Sequence, residues 1–210
     1  MAKSDGVLFD FDGTLTHRDT MTDFIVFLNR RSAARGAAAL AMLVVIWPLW
    51  FLGHTGRRWL VSGLLWLGTV GLSRREVIEQ TRAFGKTLAG DSQLFFNPAV
   101  DRLIAHQSAG REVWIVSGSH PSWIRLCLAA RGIEVDAIVG SRLGWVSGGL
   151  VQGVRCTGEE KLRCMAAHPL NQPNHWLVAY SDSKTDAPLM ALADTQVWVR
   201  RGHIDPEPAL

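Results

Sequence analysis

Short apolar runs separated by longer amphipathic stretches set the rhythm of most of this chain. Residues 7–9, 112–116, 175–180 and 196–199 read as strands, because they are almost continuously apolar rather than alternating. Runs of that kind need cover on both faces, which predicts a parallel sheet between two layers of helices. Helices fit the intervals. Residues 97–109 close on Gly110 and residues 121–131 on Gly132, each with glycine where a helix ends. Ser73 and Glu76 make a capping box for a helix that runs to about Leu88. Residues 142–146 and 150–155, joined by Ser147-Gly148-Gly149, predict a β-hairpin. The tail from Asp205 to Leu210 is expected to fray.

Residues 18–90 break this rhythm, with helical character and no good strand. They predict an all-helical insertion after the first strand, leaving residues 1–17 and 91–210 as a Rossmann-like α/β core. A length of 210 residues suits one domain with such an insertion. The composition, 48% hydrophobic and 20% charged, excludes a disordered chain. A net charge of +3 is too weak to predict nucleic-acid binding. Its distribution says more. Residues 17–72 hold six arginines against two aspartates, a net of +4, and four of the nine tryptophans. Three cysteines, with no CxxC pair, predict reduced thiols, and Cys156, Cys164 and His168 lack a fourth partner for a metal site. The N-terminus reads as lacking a signal peptide.

Three of the strands end in polar residues of a particular kind. The first runs into Asp10-Phe11-Asp12-Gly13-Thr14, the second into Ser117-Gly118-Ser119, the third into Ser181-Asp182-Ser183-Lys184-Thr185-Asp186. Carboxyl ends of parallel strands share one edge, where ligands bind. Asp10, Asp12, Ser117, Asp182 and Asp186 are therefore expected together, with Lys161 supplying positive charge from the helix before the third strand. Converging carboxylates repel unless a cation is present, and Mg²⁺ suits oxygen ligands and phosphate-bearing substrates. The set fits phosphoryl transfer: one carboxylate to attack phosphorus, another to move protons, and a hydroxyl, amides and a lysine to hold phosphoryl oxygens. Taken singly, each residue would be a turn, a helix cap or a solvated charge. Four such turns in this order are not coincidence. The Thr14 and Thr16 hydroxyls fit either a loop cap or the site, Lys184 reads as solvated, and the seven histidines form no cluster.

Asp10-Phe-Asp12-Gly-Thr14-Leu-Thr16 resembles the first motif of the haloacid dehalogenase-like hydrolases. Ser117-Gly-Ser119, Lys161 within Gly158-Glu-Glu-Lys, and Asp182-x-x-x-Asp186 resemble the remaining three, in the right order. The insertion resembles the helical cap of the phosphoserine-phosphatase-like branch. The resemblance implies Asp10 as nucleophile and Asp12 as general acid and base. It implies phosphate binding by Ser117, Gly118 and Lys161. It implies Mg²⁺ held by Asp10, the backbone carbonyl of Asp12 and Asp182, with Asp186 completing or orienting the shell.

Within the cap, residues 36–56 carry no charge and residues 59–72 carry none either, with Arg57 and Arg58 between them. The first apolar core, residues 37–52, would be about 24 Å long as a helix, against a hydrocarbon layer of about 30 Å. Both runs are short for crossing a bilayer. A hairpin over residues 37–72 that lies in one leaflet fits better, with Trp47, Trp50 and Trp59 at the interface and Arg57 and Arg58 toward anionic headgroups. A buried helix pair in a soluble cap is the plainer alternative. Leu64-Leu-Trp-Leu-Gly68, Val154-Arg-Cys-x-Gly-x-Glu-Lys161 and Tyr180-Ser-Asp-Ser-x-x-Asp-x-Pro-Leu189 are similar to the phosphatidylglycerophosphatase C family of bacterial enzymes. That implies a phosphorylated lipid substrate at an anionic membrane surface, on the cytoplasmic face of the inner membrane. No nucleic-acid or protein partner is expected. A soluble, cytoplasmic phosphoserine-type phosphatase is the competing reading. Asp19 and Thr185 count against it, because that branch uses a glutamate and an asparagine at the comparable places. A catalytically idle, membrane-anchored binding module comes third.

Overall fold

The computed structural model describes residues 5–46 and 53–204, and these fall into two compact units. The first unit holds residues 1–19, 85–141 and 155–210. Its strands are β1 (Gly6–Phe9), β2 (Glu112–Ser117), β3 (Ala137–Gly140), β6 (Trp176–Ser181), β7 (Thr195–Arg200) and β8 (His203–Ile204). They form one sheet in the order β3-β2-β1-β6-β7-β8. All neighbours run parallel except β8, which returns antiparallel along β7. The fold is Rossmann-like α/β, as the apolar strand runs predict.

Burial explains the continuous apolar runs. One face, with Leu8, Trp114, Val116 and Ala179, packs with Met165 of α7 (Glu160–Ala166) and with Leu189 and Met190 of α8 (Ala187–Met190). On the other face Phe9 stacks on Tyr180 at 4.3 Å and meets the edge of His106 from α5 (Asn97–Ser108). Helix α6 (Pro121–Ala130) buries Trp123, Ile124, Cys127 and Leu128. Gly110 and Gly132 take left-handed φ values of 74° and 68° just past α5 and α6, where a side chain would be strained. Two strands lie outside the sequence expectation. β3 is a four-residue run with no period to read, and β8 is a two-residue edge.

The central strand β1 has β2 on one side and β6 on the other, so the chain changes direction across the sheet beside it. Phe9 is in register with Ile115 and with Tyr180. The residues that follow each strand therefore emerge at one edge, where open sheets of this kind leave a crevice.

The second unit holds residues 20–84 and 142–154. Four helices, α1 (Thr20–Asn29), α2 (Ala33–Ile46), α3 (Gly53–Thr69) and α4 (Arg74–Ala89), precede the hairpin β4 (Leu143–Val146) and β5 (Gly149–Gln152). Ser73 and Glu76 form the capping box at the start of α4, with reciprocal bonds of 2.7 and 3.2 Å. The hairpin departs from the sequence expectation, which places it in the α/β core. It belongs with the helices because α3 supplies its partners. Thr69 Oγ1 accepts from Leu150 N at 2.8 Å, and Ser62 Oγ from Gln152 N at 3.2 Å. A Cβ on Gly149 would lie 2.6 Å from the Trp66 ring, so only glycine fits there. The Arg35 guanidinium donates to the Leu67 and Val70 carbonyls, both at 2.8 Å, and so ties α2 to the end of α3. Among the described residues no helix is long and apolar enough to cross a membrane. The fraying expected of residues 205–210 falls outside the described residues.

Candidate active site

Backbone geometry fixes the first carboxylate. Asp10 N donates to Tyr180 O at 2.9 Å, which extends the β1–β6 ladder one residue past the strand. The chain then turns tightly. Leu15 N and Thr16 N both donate to Phe11 O, and Gly13 N donates to Thr16 O. Gly13 has φ +77°, and a Cβ there would fall 2.3 Å from Asp182 Oδ2. Glycine is required twice over, by the turn and by the carboxylate beside it.

Lys161 is the electrostatic centre. Its side chain is 2% exposed, and Nζ donates to Asp10 Oδ1 at 2.7 Å and to Asp186 Oδ2 at 2.6 Å. Ser181 Oγ donates to the same Asp186 oxygen at 2.7 Å. Burial works against the Lys161 ammonium, but Asp10 and Asp186 outweigh it and hold its pKa above the ordinary value. Burial also pushes the Asp10 carboxyl up to about 7, with Lys161 opposing and Asp186 and Asp12 adding to the rise. Two carboxylates on one ammonium leave negative charge uncompensated.

Asp12 and Asp182 complete the edge. Asp12 Oδ2 accepts from Ser119 Oγ at 2.5 Å, and Ser119 N donates to the buried Ser117 Oγ at 3.0 Å. A Cβ on Gly118 would touch Thr157 Cγ2 at 3.0 Å, so the strand-end loop lies close against the loop before α7. Asp182 N donates to Thr14 Oγ1 at 2.9 Å, and that hydroxyl faces Asp182 Oδ1 at 3.3 Å. Desolvation, with Asp186 nearby, raises the Asp182 pKa.

Residues 7–191 match the sequence profile of the haloacid dehalogenase-like hydrolases. The chain belongs to this family. Among curated relatives, the protein CicA of Caulobacter vibrioides is 29% identical over 194 residues, spanning 90% of this chain and 82% of the relative. Among solved structures, a protein of unknown function from Bordetella pertussis Tohama I superposes with a TM-score of 0.65 at 21% identity, covering 92% of this chain and 89% of that one. A substrate-bound phosphoserine phosphatase gives 0.56 at 18% identity, covering 93% and 86%. The two structural likenesses speak for a shared fold.

In this haloacid dehalogenase-like hydrolase the edge gathers Asp10, Lys161 and Asp186 in direct contact, and Asp182 against the Gly13-Thr14 turn. Three hydroxyls serve the carboxylates: Thr14, which the sequence leaves open between a loop cap and the site, on Asp182, and Ser119 and Ser181, which it does not single out, on Asp12 and Asp186. Their signal is position, since each stands within a strand end or loop that carries a carboxylate or Ser117. Of the expected cap residues, Trp47 and Trp50 lie outside the described residues, as does the Arg57 side chain. Arg58 and Trp59 are exposed on α3.

The donor set can be tested against Mg²⁺. Among the described residues no three His, Cys, Asp or Glu side chains are grouped so as to hold a metal by themselves. Asp186 engages Lys161 and Ser181 through Oδ2, contacts that suit an orienting role. Asp10 and Asp182 remain, with the Asp12 carbonyl. This all-oxygen set fits an ion that commonly takes one or two carboxylates and completes its shell with water and substrate oxygens. The upward pKa shifts of Asp10 and Asp182 mark the charge that such a cation would balance.

Proposed function

We propose that this hydrolase is a Mg²⁺-dependent phosphatase that cleaves phosphomonoesters through an aspartyl-phosphate on Asp10. The observation that supports it best is the buried Lys161, held at 2.7 Å from Asp10 and 2.6 Å from Asp186. Lys161 engages Oδ1 of Asp10, which leaves Oδ2 as the attacking atom. As the new O–P bond forms and the ester O–P bond breaks, protonated Asp12 gives its proton to the leaving oxygen. Asp12 then takes a proton from water, which attacks phosphorus, frees Asp10 and releases inorganic phosphate. Ser119 orients the Asp12 carboxyl for both steps. Ser117, the Gly118 backbone and Lys161 hold the phosphoryl oxygens as charge spreads over them. Mg²⁺ held by Asp10, Asp182 and the Asp12 carbonyl would neutralise phosphoryl charge during both displacements.

The substrate reading is a phosphorylated lipid, phosphatidylglycerophosphate converted to phosphatidylglycerol at an anionic membrane surface. Residues 24–75 contain seven arginines and no aspartate or glutamate. Leu40, Val44 and Val45 on α2 are 67%, 76% and 76% exposed, and Trp59 on α3 is 68% exposed. Apolar side chains shown to solvent on a basic, acid-free segment suit a surface of acyl chains and phosphates. A cytoplasmic-face location follows from that reading. The phosphoserine alternative draws on the shared fold and is opposed by Asp19 and Thr185. Phosphate release from a panel of lipid and soluble phosphomonoesters, with and without EDTA, decides between them. Asp10→Asn should abolish turnover by about 10⁴-fold or more. Near wild-type turnover in that variant would sink the mechanism, and full activity after EDTA would sink the metal requirement.

A further inference from the structure

The proposed reaction leaves one charged feature of the α/β unit unused. A cleft of about 570 Å³ is lined by Arg200, Arg201, His17 and His203 together with Gly13 and Asp182. Among the described residues Asp182 is the only carboxylate on its wall, and neither Arg200 nor Arg201 is ion-paired. The cleft thus joins the carboxylate edge to a basic rim.

The rim is built, not incidental. β7 ends at Arg200, the chain reverses through Arg201 and Gly202, and Arg200 pairs with His203 on β8. Arg201 and Gly202 have φ values of +50° and +79°, a two-residue turn that normally takes Asn-Gly. An arginine in that left-handed position is strained, and the turn sets Arg201 on the wall of the cleft next to Arg200. The turn is also locked in place. A Cβ on Gly202 would lie 2.4 Å from Phe96 Cδ1, and the Phe96 ring sits 3.9 Å from the His17 ring. Phe96 N donates to Leu15 O at 2.8 Å, and His17 N to Leu94 O at 3.0 Å. The hairpin tip is therefore packed onto the segment that leaves the Asp10–Asp12 turn.

We propose that this cleft is a specificity subsite for a second phosphate group on the same substrate, while the first meets Asp10. It rests on the phosphatase reading and adds to it the residues that would hold the second phosphate, the group present as a phosphodiester in phosphatidylglycerophosphate. Paired guanidiniums match phosphate oxygens in fork geometry, and the histidines add donors. A phosphodiester within a lipid headgroup and a second monoester on a soluble bisphosphate share that chemistry.

Steady-state kinetics of the full chain on three probes test it: propyl phosphate, 1,3-propanediol bisphosphate and glycerophosphoglycerol phosphate. In Arg200→Gln/Arg201→Asn, KM for the two-phosphate probes should rise about tenfold or more, since two charge-assisted contacts are lost. Their kcat, and all constants for propyl phosphate, should stay within about twofold of wild type. Asparagine suits the turn, so the thermal midpoint should not fall, and Arg201→Lys should recover much of the lost affinity. Equal losses on all three probes, or none, would overturn the subsite. If the wild type hydrolyses no probe, the phosphatase reading fails, yet the subsite is still read by calorimetry. 1,3-Propanediol bisphosphate should then bind Asp10→Asn protein and lose affinity when the two arginines are replaced; unchanged binding overturns the subsite. A lower KM for glycerophosphoglycerol phosphate than for the bisphosphate supports the subsite with a lipid-headgroup source, and the reverse supports it with a soluble one.

Discussion

The two units break the ordinary rule of burial in opposite directions. In the α/β unit charges are inside: Asp10 after β1, Lys161 on α7 and Asp186 in the turn after β6 have almost no exposure. In the helical unit apolar groups are outside: Leu40, Val44, Val45 and Trp59 face solvent on helices that bury Leu60, Leu64 and Leu65 elsewhere. Buried charge is retained at a cost of desolvation that only chemistry or partners offset. Exposed aliphatic side chains cost solvation that only a partner surface removes. The first unit should therefore answer to protonation, and the second to whatever surface it meets and to salt.

The sharpest way to break that contrast is at Asp12. Asp12→Ala should lower turnover of alkyl phosphates by about 10²–10⁴-fold, the usual loss when a general acid is removed. Aryl phosphates, whose leaving oxygens need less protonation, should lose less in the first half-reaction. Rapid-quench measurements showing equal first-step losses for both classes would remove Asp12 from its proton-transfer role.

Lys161→Met comes next. It leaves Asp10 and Asp186 buried without their ammonium, a change that costs about 3–5 kcal/mol when one partner of a buried pair is lost. Denaturant unfolding should show that loss, and Lys161→Met/Asp10→Asn should recover part of it. A cost near zero would mean that the buried charges are not held by each other.

These predictions concern residues that the sequence makes legible, and the reason is geometric. A parallel sheet aligns the ends of its strands, so Asp10, Ser117 and Asp182 could be placed together from strand positions alone. Lys161 and Asp186 follow from their place before and after the third predicted strand. The supporting serines cannot be singled out, because a serine two residues from Ser117 or one before Asp182 has several rotamers and only packing selects among them. The unit to which the hairpin belongs is not legible for a related reason. Its own turn is local and readable, but its partner Thr69 lies 81 residues away from Leu150. β3 and β8 were too short to carry a period.

A smaller effect reads the protonation behaviour of the α/β unit away from the carboxylates. Buried His106 faces Tyr180 OH through Nε2 at 2.8 Å and receives Arg111 at Nδ1, also at 2.8 Å. Arginine can only donate, so Nδ1 is the acceptor and the ring is neutral, with Nε2–H toward the tyrosine oxygen. Burial first, then Arg111 and Arg102, lower its pKa from 6.5 to about 4. The unfolded chain binds the proton more readily, so this residue's contribution is full above about 6.5 and is lost as pH falls towards 4. Asp10 acts with the opposite sign, because its raised pKa favours the folded state as pH drops below about 7. The difference between wild type and His106→Gln isolates the histidine: the wild type should lose more stability than the variant between pH 6.5 and 4. Parallel pH profiles would show that folding leaves the His106 pKa unshifted.

The smallest effects belong to the helical unit, and they separate its two kinds of exposed group. Arg58 is exposed and among the described residues reaches only the Gly153 carbonyl, at 3.5 Å, so its charge is available to a surface. A basic residue near an anionic membrane contributes about 1 kcal/mol, a term that salt screens over a Debye length of about 8 Å at physiological ionic strength. Trp59 is an apolar contribution, about 25 cal/mol for each Å² removed from water, and salt does not screen it. On vesicles rich in phosphatidylglycerol, Arg58→Glu should weaken binding several-fold at low salt and hardly at all at high salt. Trp59→Ser should weaken it by a similar factor at every salt concentration. Neither residue belongs to the proposed chemistry, so hydrolysis of a small soluble phosphate ester should be unchanged in both. Wild-type protein that ignores anionic vesicles at all salt concentrations would make the exposed apolar side chains of α2 and α3 a surface for some other partner, and would move the soluble phosphatase reading to first place.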